Sequence, residues 1–236
     1  MVGILEIREG KGRGPRAEGC ALLDLPCLRA EIPAPPGLSP ARLARRVDKG
    51  ARLLARAGVR RVVTAAEFPW WEVLYSRGLR PVEPEDFCQA LAVPLALAAL
   101  ERCGVPPRQG TVVLSGPRVN RALLRTAEGL CPMVRRLSID VPDGGAALAD
   151  WLWREFGAAM ADPEAGKRAD VDLRFGPAGG GGRVELDLYG PRPELGGFVL
   201  RPPKGLEAGG LDRLAVLALL WEEGRLDLEK IRILPS

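Results

Sequence analysis

The pattern of apolar positions predicts strands and one long helix in the first third of the chain. Residues 2–9 (VGILEIRE) alternate enough for a strand, and the apolar stretch 20–33 predicts one or two strands closing a hairpin. The Gly-rich, basic segment 11–19 between them is predicted as a flexible hairpin tip. Ser39, as an N-cap, and Pro40, at the first helical position, predict a helix that Gly58 ends. Further elements are a buried strand at 59–65 and helices at 67–78 and about 87–103.

After a Pro-Pro pair at 106–107, the pattern becomes a regular alternation of short apolar strands and helices. Strands are predicted at 111–115, 134–140, 169–175, 183–189 and 197–200, helices at 117–130, 145–158 and 211–223, and an edge strand in the C-terminal tail. Continuous apolar strands alternating with helices are typical of a parallel sheet covered on both faces. We therefore predict an α/β fold: a smaller N-terminal α/β unit over 1–106, then a three-layer, Rossmann-like, mostly parallel sheet over 107–236.

Composition removes several kinds of chemistry. The chain of 236 residues contains no His, which excludes Ser-His-Asp and Cys-His nucleophiles and His-ligated metals. Catalysis would have to rely on carboxylates, Lys, Tyr, Cys or a cofactor, so the composition favours a protein that is not an enzyme. None of the five Cys form C-x-x-C, which predicts reduced, mostly buried thiols and no metal site.

Charge and hydropathy indicate the partners and the location. The net charge of +4 comes from scattered Arg residues without interleaved aromatics, a pattern that disfavours nucleic acid. No apolar run approaches the ~20 residues that span a membrane, and the N-terminus lacks the features of a signal peptide. The expectation is a cytosolic protein with no membrane partner.

The segment 111–130 contains the main candidate for a ligand site. It predicts a strand, a turn and a helix, the layout in which a helix N-terminus binds phosphate. The candidate cofactor-binding residues are Gly116, Arg118 and Asn120 in the turn, and Asp140, which ends the next strand where a ribose partner would lie. The alternative is a plain strand-to-helix corner with Pro117 at the first helical position, because the turn has one glycine where a dinucleotide fingerprint has three.

Three other features have both a structural and a functional interpretation. Asp143 is predicted as a helix N-cap, although with Asp140 it could hold a metal or a ribose. The glycine-rich run 176–182 is predicted as a hairpin tip or an extended connection, which is favoured over the alternative of a phosphate cradle because a cradle needs a following helix and a strand follows here. Trp71 and Tyr75 share one helical face, which favours core packing over an aromatic ligand platform.

Acidic residues alternate with apolar ones on two neighbouring strands. They are predicted as a solvated sheet face, with a catalytic carboxylate pair as the alternative: Asp170, Asp172, Glu185 and Asp187.

The layout of residues 88–200 resembles the NAD(P)-binding half of shikimate dehydrogenases and glutamyl-tRNA reductases. The resemblance lies in the order of a helix, VVLSG, a helix, LSID, a helix, ADVDLRFG and VELDLYGPRP. It implies a Rossmann-like fold and NAD(P) as the cofactor. The glycine fingerprint is reduced to Gly116, and the families' catalytic Lys and Asp pair and catalytic Cys have no match here, so no activity is implied.

The leading interpretation is a non-catalytic or degenerate Rossmann-like protein that binds a nucleotide or another small anionic ligand. One alternative is an NAD(P)-dependent oxidoreductase, in which the cofactor supplies the hydride chemistry. The other is an interaction or scaffold protein that uses its Trp-rich helices as a partner surface.

Overall fold

The computed structural model describes residues 1–12, 14–157, 169–177, 181–202, 206 and 209–236. The chain forms two compact units. Unit 1 comprises Met1–Val82 and Pro203–Asp227, and unit 2 comprises Glu83–Pro202 and Leu228–Ser236. The boundary that the sequence suggested after residue 106 lies inside unit 2. Among the described residues, every helix is too short or too polar to span a lipid bilayer.

Unit 1 contains a five-stranded sheet. Its strands are β1 (Val2–Glu9), β2 (Arg16–Leu22), β3 (Leu25–Ala34), β4 (Arg61–Val63) and β5 (Arg80–Pro81). The strand order is β2-β3-β1-β4-β5. β1 is parallel to both β3 and β4, β4 is parallel to β5, and only β2 is antiparallel to its neighbour β3.

The expected hairpin between β1 and the next strand is wrong. The hairpin joins β2 to β3 through Leu23 and Asp24, whose positive φ values of 44° and 63° suit a tight two-residue turn. β2 begins at Arg16, inside the segment predicted as a flexible tip. The physical reason is burial: Val2–Leu5 are all buried, so β1 needs a neighbour on each side, whereas the largely exposed β2 suits the sheet edge.

The described residues of unit 1 form three α-helices: α1 (Pro40–Arg56), α2 (Trp71–Tyr75) and α7 (Arg213–Glu222). The predicted start of α1 is confirmed, with Ser39 at the N-cap position and Pro40 at the first helical position. Buried residues of α1, among them Val47 and Leu54, pack in one core cluster with residues of β1 and β3. α2 is shorter than predicted because residues 67–70 form an irregular segment before it.

Unit 2 is built on a four-stranded, fully parallel sheet. Its strands are β6 (Thr111–Ser115), β7 (Arg136–Asp140), β8 (Val171–Arg174) and β9 (Val184–Asp187), in the order β7-β6-β8-β9. The strands β10 (Phe198–Arg201) and β11 (Arg232–Pro235) form a separate antiparallel pair. The predicted α/β class with a mostly parallel, Rossmann-like sheet is confirmed, since the first strand lies inside the sheet and its successors lie on both sides of it.

Among the described residues, the α-helices of unit 2 are α3 (Glu85–Ala90), α4 (Ala92–Arg102), α5 (Arg121–Leu130) and α6 (Gly145–Phe156). The single helix expected over 87–103 is divided near Leu91. Pro94 explains the division, since a proline lacks the N–H for the bond to the fourth residue before it and is tolerated only in a first helical turn. α6 starts after Gly144, so the prediction of Asp143 as its N-cap is wrong.

The glycine-rich run 176–182 connects two parallel strands, β8 and β9. A hairpin tip is therefore excluded, because a hairpin joins antiparallel strands, and an extended connection fits the topology. Residues 178–180 of this run lie outside the described residues.

Candidate functional site

The structure places Gly116 beside Asp140, as the sequence suggested. β6 and β7 are parallel with Ser115 opposite Asp140, so both strands end at the same edge of the sheet. The Gly116 amide donates a hydrogen bond to the Asp140 carbonyl over 3.3 Å. Gly116 is buried and the Asp140 side chain is exposed.

Arg118 and Asn120 lie in the turn that follows. Arg118 is exposed, and the neighbouring Val119 amide donates to the Asp143 carbonyl over 2.9 Å. Asn120 Oδ1 accepts from the Leu123 amide at 2.8 Å and caps α5. The cap is therefore Asn120, and Pro117 is not at the first helical position. It lies outside the helix because the chain needs several residues to turn from β6 into α5.

The crevice between β6 and β8 in unit 2 is closed by the protein itself. The Phe175 amide donates to the Ser115 carbonyl at 2.8 Å, which extends the strand pairing past the end of β8. A Cβ built on Gly176 would lie 2.4 Å from Pro117 Cδ. The crevice between β6 and β8 is the topological switch point of this sheet, where ligands of open α/β sheets usually bind. Here backbone and a proline ring occupy the space next to the candidate residues.

The acidic residues on β8 and β9 form an ion-pair network around Arg174. The solvated face expected from the sequence is wrong at Asp172, which is buried, whereas Glu185 is exposed and Asp187 is half-buried. Asp172 is only 2% exposed, and Ser115 Oγ donates to its Oδ1 at 2.8 Å. Arg174 contacts Asp172 at 3.4 Å, Glu185 at 2.5 Å and Asp187 at 3.1 Å. The strand register brings these side chains together. Parallel pairing places Asp172 opposite Glu185 and Arg174 opposite Asp187, so all four side chains lie on the same side of the sheet.

Burial raises the pKa of Asp172, although the Ser115 hydrogen bond and the Arg174 charge oppose the shift. Burial by itself would lower the pKa of the Arg174 guanidinium. The charges of Asp187, Glu185 and Asp172 outweigh this effect of burial, so the pKa of Arg174 is raised. The carboxylates and the guanidinium of the network are paired with one another within the protein. We interpret the network as structural.

Unit 1 contains a cavity of about 280 Å³ at the carboxyl ends of β1 and β4. β4 pairs with β1 only as far as Val63 opposite Ile4, whereas β3 continues along β1 to Glu9. Beyond Ile4 the edge of β1 therefore lies outside the ladder with β4, and alternate residues direct their backbone polar groups toward the gap. We call this cavity the unit 1 crevice. It is lined by Leu5, Glu6, Ile7, Arg8, Ala65, Glu67, Phe68, Pro69, Trp70, Gly209, Gly210 and Leu211.

The unit 1 crevice is also a topological switch point. β1 leads through β2 to β3 on one side of it, and β4 leads through α2 to β5 on the other. Asp212 fixes the lining segment that precedes α7, since its amide donates to the Thr64 carbonyl at 2.8 Å. The lining elements are thus held by β1, by the end of β4 and by the start of α7.

One wall of the crevice is charged and another is aromatic. Glu6 Oε2 is buried and forms ion pairs with Arg8 at 3.0 Å and with Arg29 Nε at 3.9 Å, but neither contact gives it a well-aligned hydrogen bond within the described residues. Arg8 also contacts Glu31 at 3.4 Å, so two carboxylates share its charge. Phe68 and Trp70 meet edge to face with their ring centroids 5.6 Å apart. A buried acceptor beside aromatic rings can bind a ligand that brings both a donor and a flat apolar body.

Sequence reasoning missed the crevice, although part of its signal is visible in the chain. Glu6 interrupts an apolar strand close to its carboxyl end, where the ligands of parallel sheets bind. The aromatic run was considered as a ligand platform through Trp71 and Tyr75. Those two rings stack with centroids 6.0 Å apart. Trp71 packs against the unit 1 core as predicted, whereas Tyr75 is 46% exposed, so the prediction of core packing is wrong for Tyr75. Trp70, one residue earlier, lines the crevice.

Comparison with known proteins gives distant similarity. No family model matches the chain, and no curated protein matches it. Among solved structures, the chain is similar to L-tryptophan dehydrogenase from Nostoc punctiforme, at 18% identity over 62% of this chain and 44% of that chain, with a TM-score of 0.31. It is also similar to D-lactate dehydrogenase from Escherichia coli, at 15% identity over 54% and 46% of the two chains, with a TM-score of 0.31.

Shikimate 5-dehydrogenase from Thermus thermophilus matches at 17% identity over 62% of this chain and 57% of that chain, with a TM-score of 0.26. The chain thus spans about half the length of these structures. The resemblance to shikimate dehydrogenases seen in the layout of residues 88–200 is found again in this comparison. TM-scores this low assign no activity, and the α/β class rests on the strand order of the two sheets.

Proposed function

We propose that this protein binds a small organic molecule in the unit 1 crevice and that binding, not catalysis, is its primary activity. The observation that carries the proposal is the buried Glu6 Oε2, which accepts no hydrogen bond from the described part of the chain and lies on the wall of a cavity at a switch point. The ion pairs with Arg8 and Arg29 offset part of the cost of burying this carboxylate oxygen, but a well-aligned hydrogen bond would stabilise it further. A ligand that donates to Glu6 Oε2 would supply that hydrogen bond.

The lining favours a flat apolar molecule with a primary amine. Phe68, Trp70 and Leu211 offer apolar surface, and Glu6 offers the acceptor. The lining residues Glu6, Glu67 and Arg8 sum to one negative charge, which favours a cation, and Arg29, 3.9 Å from Glu6 Oε2, offsets part of that charge. The volume of about 280 Å³ lies near the lower end of ligand pockets, which limits the ligand to a small molecule.

A matched pair of probes tests the proposal by isothermal titration calorimetry on the full chain. 2-Phenylethylamine and 3-phenylpropionate share an aromatic ring on a short chain and carry opposite charges. We expect the amine to bind and the carboxylate to bind at least tenfold more weakly. In Glu6→Gln the amine should lose at least tenfold in affinity, since the variant keeps the shape of the side chain and removes its charge. Equal binding of the two probes, or an unchanged affinity in Glu6→Gln, would contradict the proposal.

A control variant separates Glu6 from general electrostatics. Glu67 also lines the crevice but is exposed, so its charge is screened by water. Glu67→Gln changes the net charge by the same amount as Glu6→Gln, and it should lower the affinity for 2-phenylethylamine by no more than about threefold. Equal losses in the two variants would mean that only net charge attracts the probe.

A second candidate function is binding of a nucleotide or another small anion at the turn between β6 and α5. The observation in its favour is the exposed Arg118, which lies in the turn between Gly116 and the start of α5. The Gly116 and Val119 amides already bond to carbonyl groups, so charge and not a glycine cradle would have to hold the anion. The NAD(P)-dependent oxidoreductase alternative would use this same turn.

Thermal unfolding with millimolar NADH, NADPH, ATP or inorganic phosphate tests the second candidate. A ligand well above its dissociation constant raises the melting temperature by mass action. Arg118→Ala should abolish that rise, and Arg108→Ala, which removes another exposed Arg of unit 2, should leave it unchanged. If none of the four compounds raises the melting temperature, this candidate is wrong, whatever the outcome at the unit 1 crevice.

A further inference from the structure

Cys20 and Cys27 lie directly opposite each other on β2 and β3. Residues that oppose each other in an antiparallel pair project to the same side of the sheet, with Cα atoms about 4.5 or 5.5 Å apart. Most disulfides join residues whose Cα atoms are about 4.4–6.8 Å apart. The register of this hairpin therefore gives the two thiols the backbone separation that a disulfide needs.

The turn holds this register in place. Leu22 pairs with Leu25 on either side of the two-residue turn, and the two turn residues have positive φ. A tight turn of this kind fixes which residues face each other in the strands that follow. The cysteine pair, two positions further from the turn, therefore stays aligned.

The two thiols differ in access. Cys20 is half-buried, and Cys27 is buried at 5% exposure, with its Sγ 3.4 Å from the Leu25 carbonyl. Burial is the main reason why the pKa of each thiol is raised, and each would react faster as the pH rises. Cys20 is therefore the thiol more accessible to an external reagent, and Cys27, opposite it, is placed to act as the resolving thiol.

We propose that Cys20 and Cys27 form a reversible disulfide by exchange with a small-molecule disulfide such as oxidised glutathione. The Cys20 thiolate attacks one sulfur of the reagent, forms a mixed disulfide and releases one glutathione thiolate. The Cys27 thiolate then attacks Cys20 Sγ and releases the second glutathione thiolate. The dithiol loses two electrons, which reduce oxidised glutathione to two glutathione molecules, and the two cysteine protons neutralise the departing thiolates.

The proposal is tested by treating the full, folded chain with oxidised glutathione at mildly alkaline pH, followed by alkylation and peptide mapping. Trypsin cleaves after Arg16 and Arg29 and releases one peptide, residues 17–29, that contains both thiols. We expect this peptide to lose two hydrogen atoms and to resist alkylation. Dithiothreitol should restore two alkylatable thiols.

Variants identify the order of the steps. Cys27→Ser should stop at a glutathione adduct on Cys20, and Cys20→Ser should leave Cys27 unmodified because Cys27 is buried. Cys131→Ser, which removes a thiol of unit 2, should not change the result. If Cys27→Ser does not give the far-ultraviolet circular dichroism of the folded protein, Cys27→Ala replaces it.

Three results would overturn the proposal. The first is a wild-type peptide that keeps two free thiols after the treatment. The second is a glutathione adduct on Cys20 that persists in the wild type. The third is a disulfide that links this peptide to Cys88, Cys103 or Cys131.

Discussion

Asp172→Ala should lower the free energy of unfolding by about 3 kcal/mol. Asp172 is 2% exposed and Ser115 is fully buried, so water cannot replace the hydrogen bond of 2.8 Å between them. A hydrogen bond to a charged group contributes about 1.5–3 kcal/mol, and a buried hydroxyl left without an acceptor costs about 1–3 kcal/mol. Arg174 keeps Glu185 and Asp187, so its charge is not left unpaired and adds little to the loss.

Asp172→Asn separates the hydrogen bond from the charge. The amide oxygen still accepts from Ser115, so the cost at neutral pH should stay below about 1 kcal/mol. Burial raises the pKa of Asp172 above its unfolded value of 3.8, so the folded state holds this proton more tightly. The stabilisation that results is complete below the unfolded pKa and is lost as the pH rises through the folded pKa. Asp172→Asn should remove this part of the pH dependence.

Urea unfolding followed by circular dichroism measures these free energies, at neutral pH and in steps across the acidic range. A double-mutant cycle with Ser115→Ala isolates the hydrogen bond and should give a coupling energy of about 1–2 kcal/mol. The reasoning is refuted if Asp172→Ala costs less than about 1 kcal/mol. It is also refuted if Ser115→Ala and Asp172→Ala are additive within about 0.5 kcal/mol, since independent sites behave in that way.

Three further predictions use the same unfolding assay. Gly176→Ala should cost about 1–3 kcal/mol because its Cβ would lie 2.4 Å from a proline ring, while Gly116→Ala, with its nearest atom at 3.5 Å, should be tolerated. Asn120→Ala removes the cap of α5 and should cost about 1 kcal/mol. The hydrogen bond from Arg77 lowers the pKa of Asp48, so its contribution is present above the unfolded pKa and lost as the pH falls through the folded value. Asp48→Asn should therefore cost about 0.5–1 kcal/mol at neutral pH, because the pair is partly exposed, and nothing in strong acid. Equal effects of the two glycine changes, no loss with Asn120→Ala, or a loss with Asp48→Asn that does not depend on pH would contradict these assignments.

The local pattern of apolar and polar residues in the sequence determined the α/β class and most of the helices and strands. β6 was predicted with the observed bounds, Thr111–Ser115, because an apolar run between a glycine and a turn has few alternatives. The start of α1 followed from Ser39 and Pro40, whose preference for a helix N-terminus comes from backbone geometry. Such signals lie within a few residues of the element that they define.

Element ends and pairings needed contacts that local pattern does not contain. Pro117 suggested the start of a helix, but α5 begins at Arg121, where Asn120 can bond to the Leu123 amide. The turn after β1 suggested a hairpin, but burial of β1 demanded a parallel neighbour on each side. In both cases the favourable arrangement depends on contacts that the pattern of apolar positions does not encode.

The residues with chemical interest were decided by strand register and tertiary packing. Asp172 lies in an alternating pattern typical of a solvated face, yet pairing between β6, β8 and β9 buries it against Ser115. Cys20 and Cys27 form no C-x-x-C motif, and only the β2–β3 register places them opposite each other. Glu6 becomes an acceptor on a cavity wall because β4 ends two residues earlier on the neighbouring strand. Sequence alone determines which side chains are available, and their burial and pairing arise only when distant segments exclude water together.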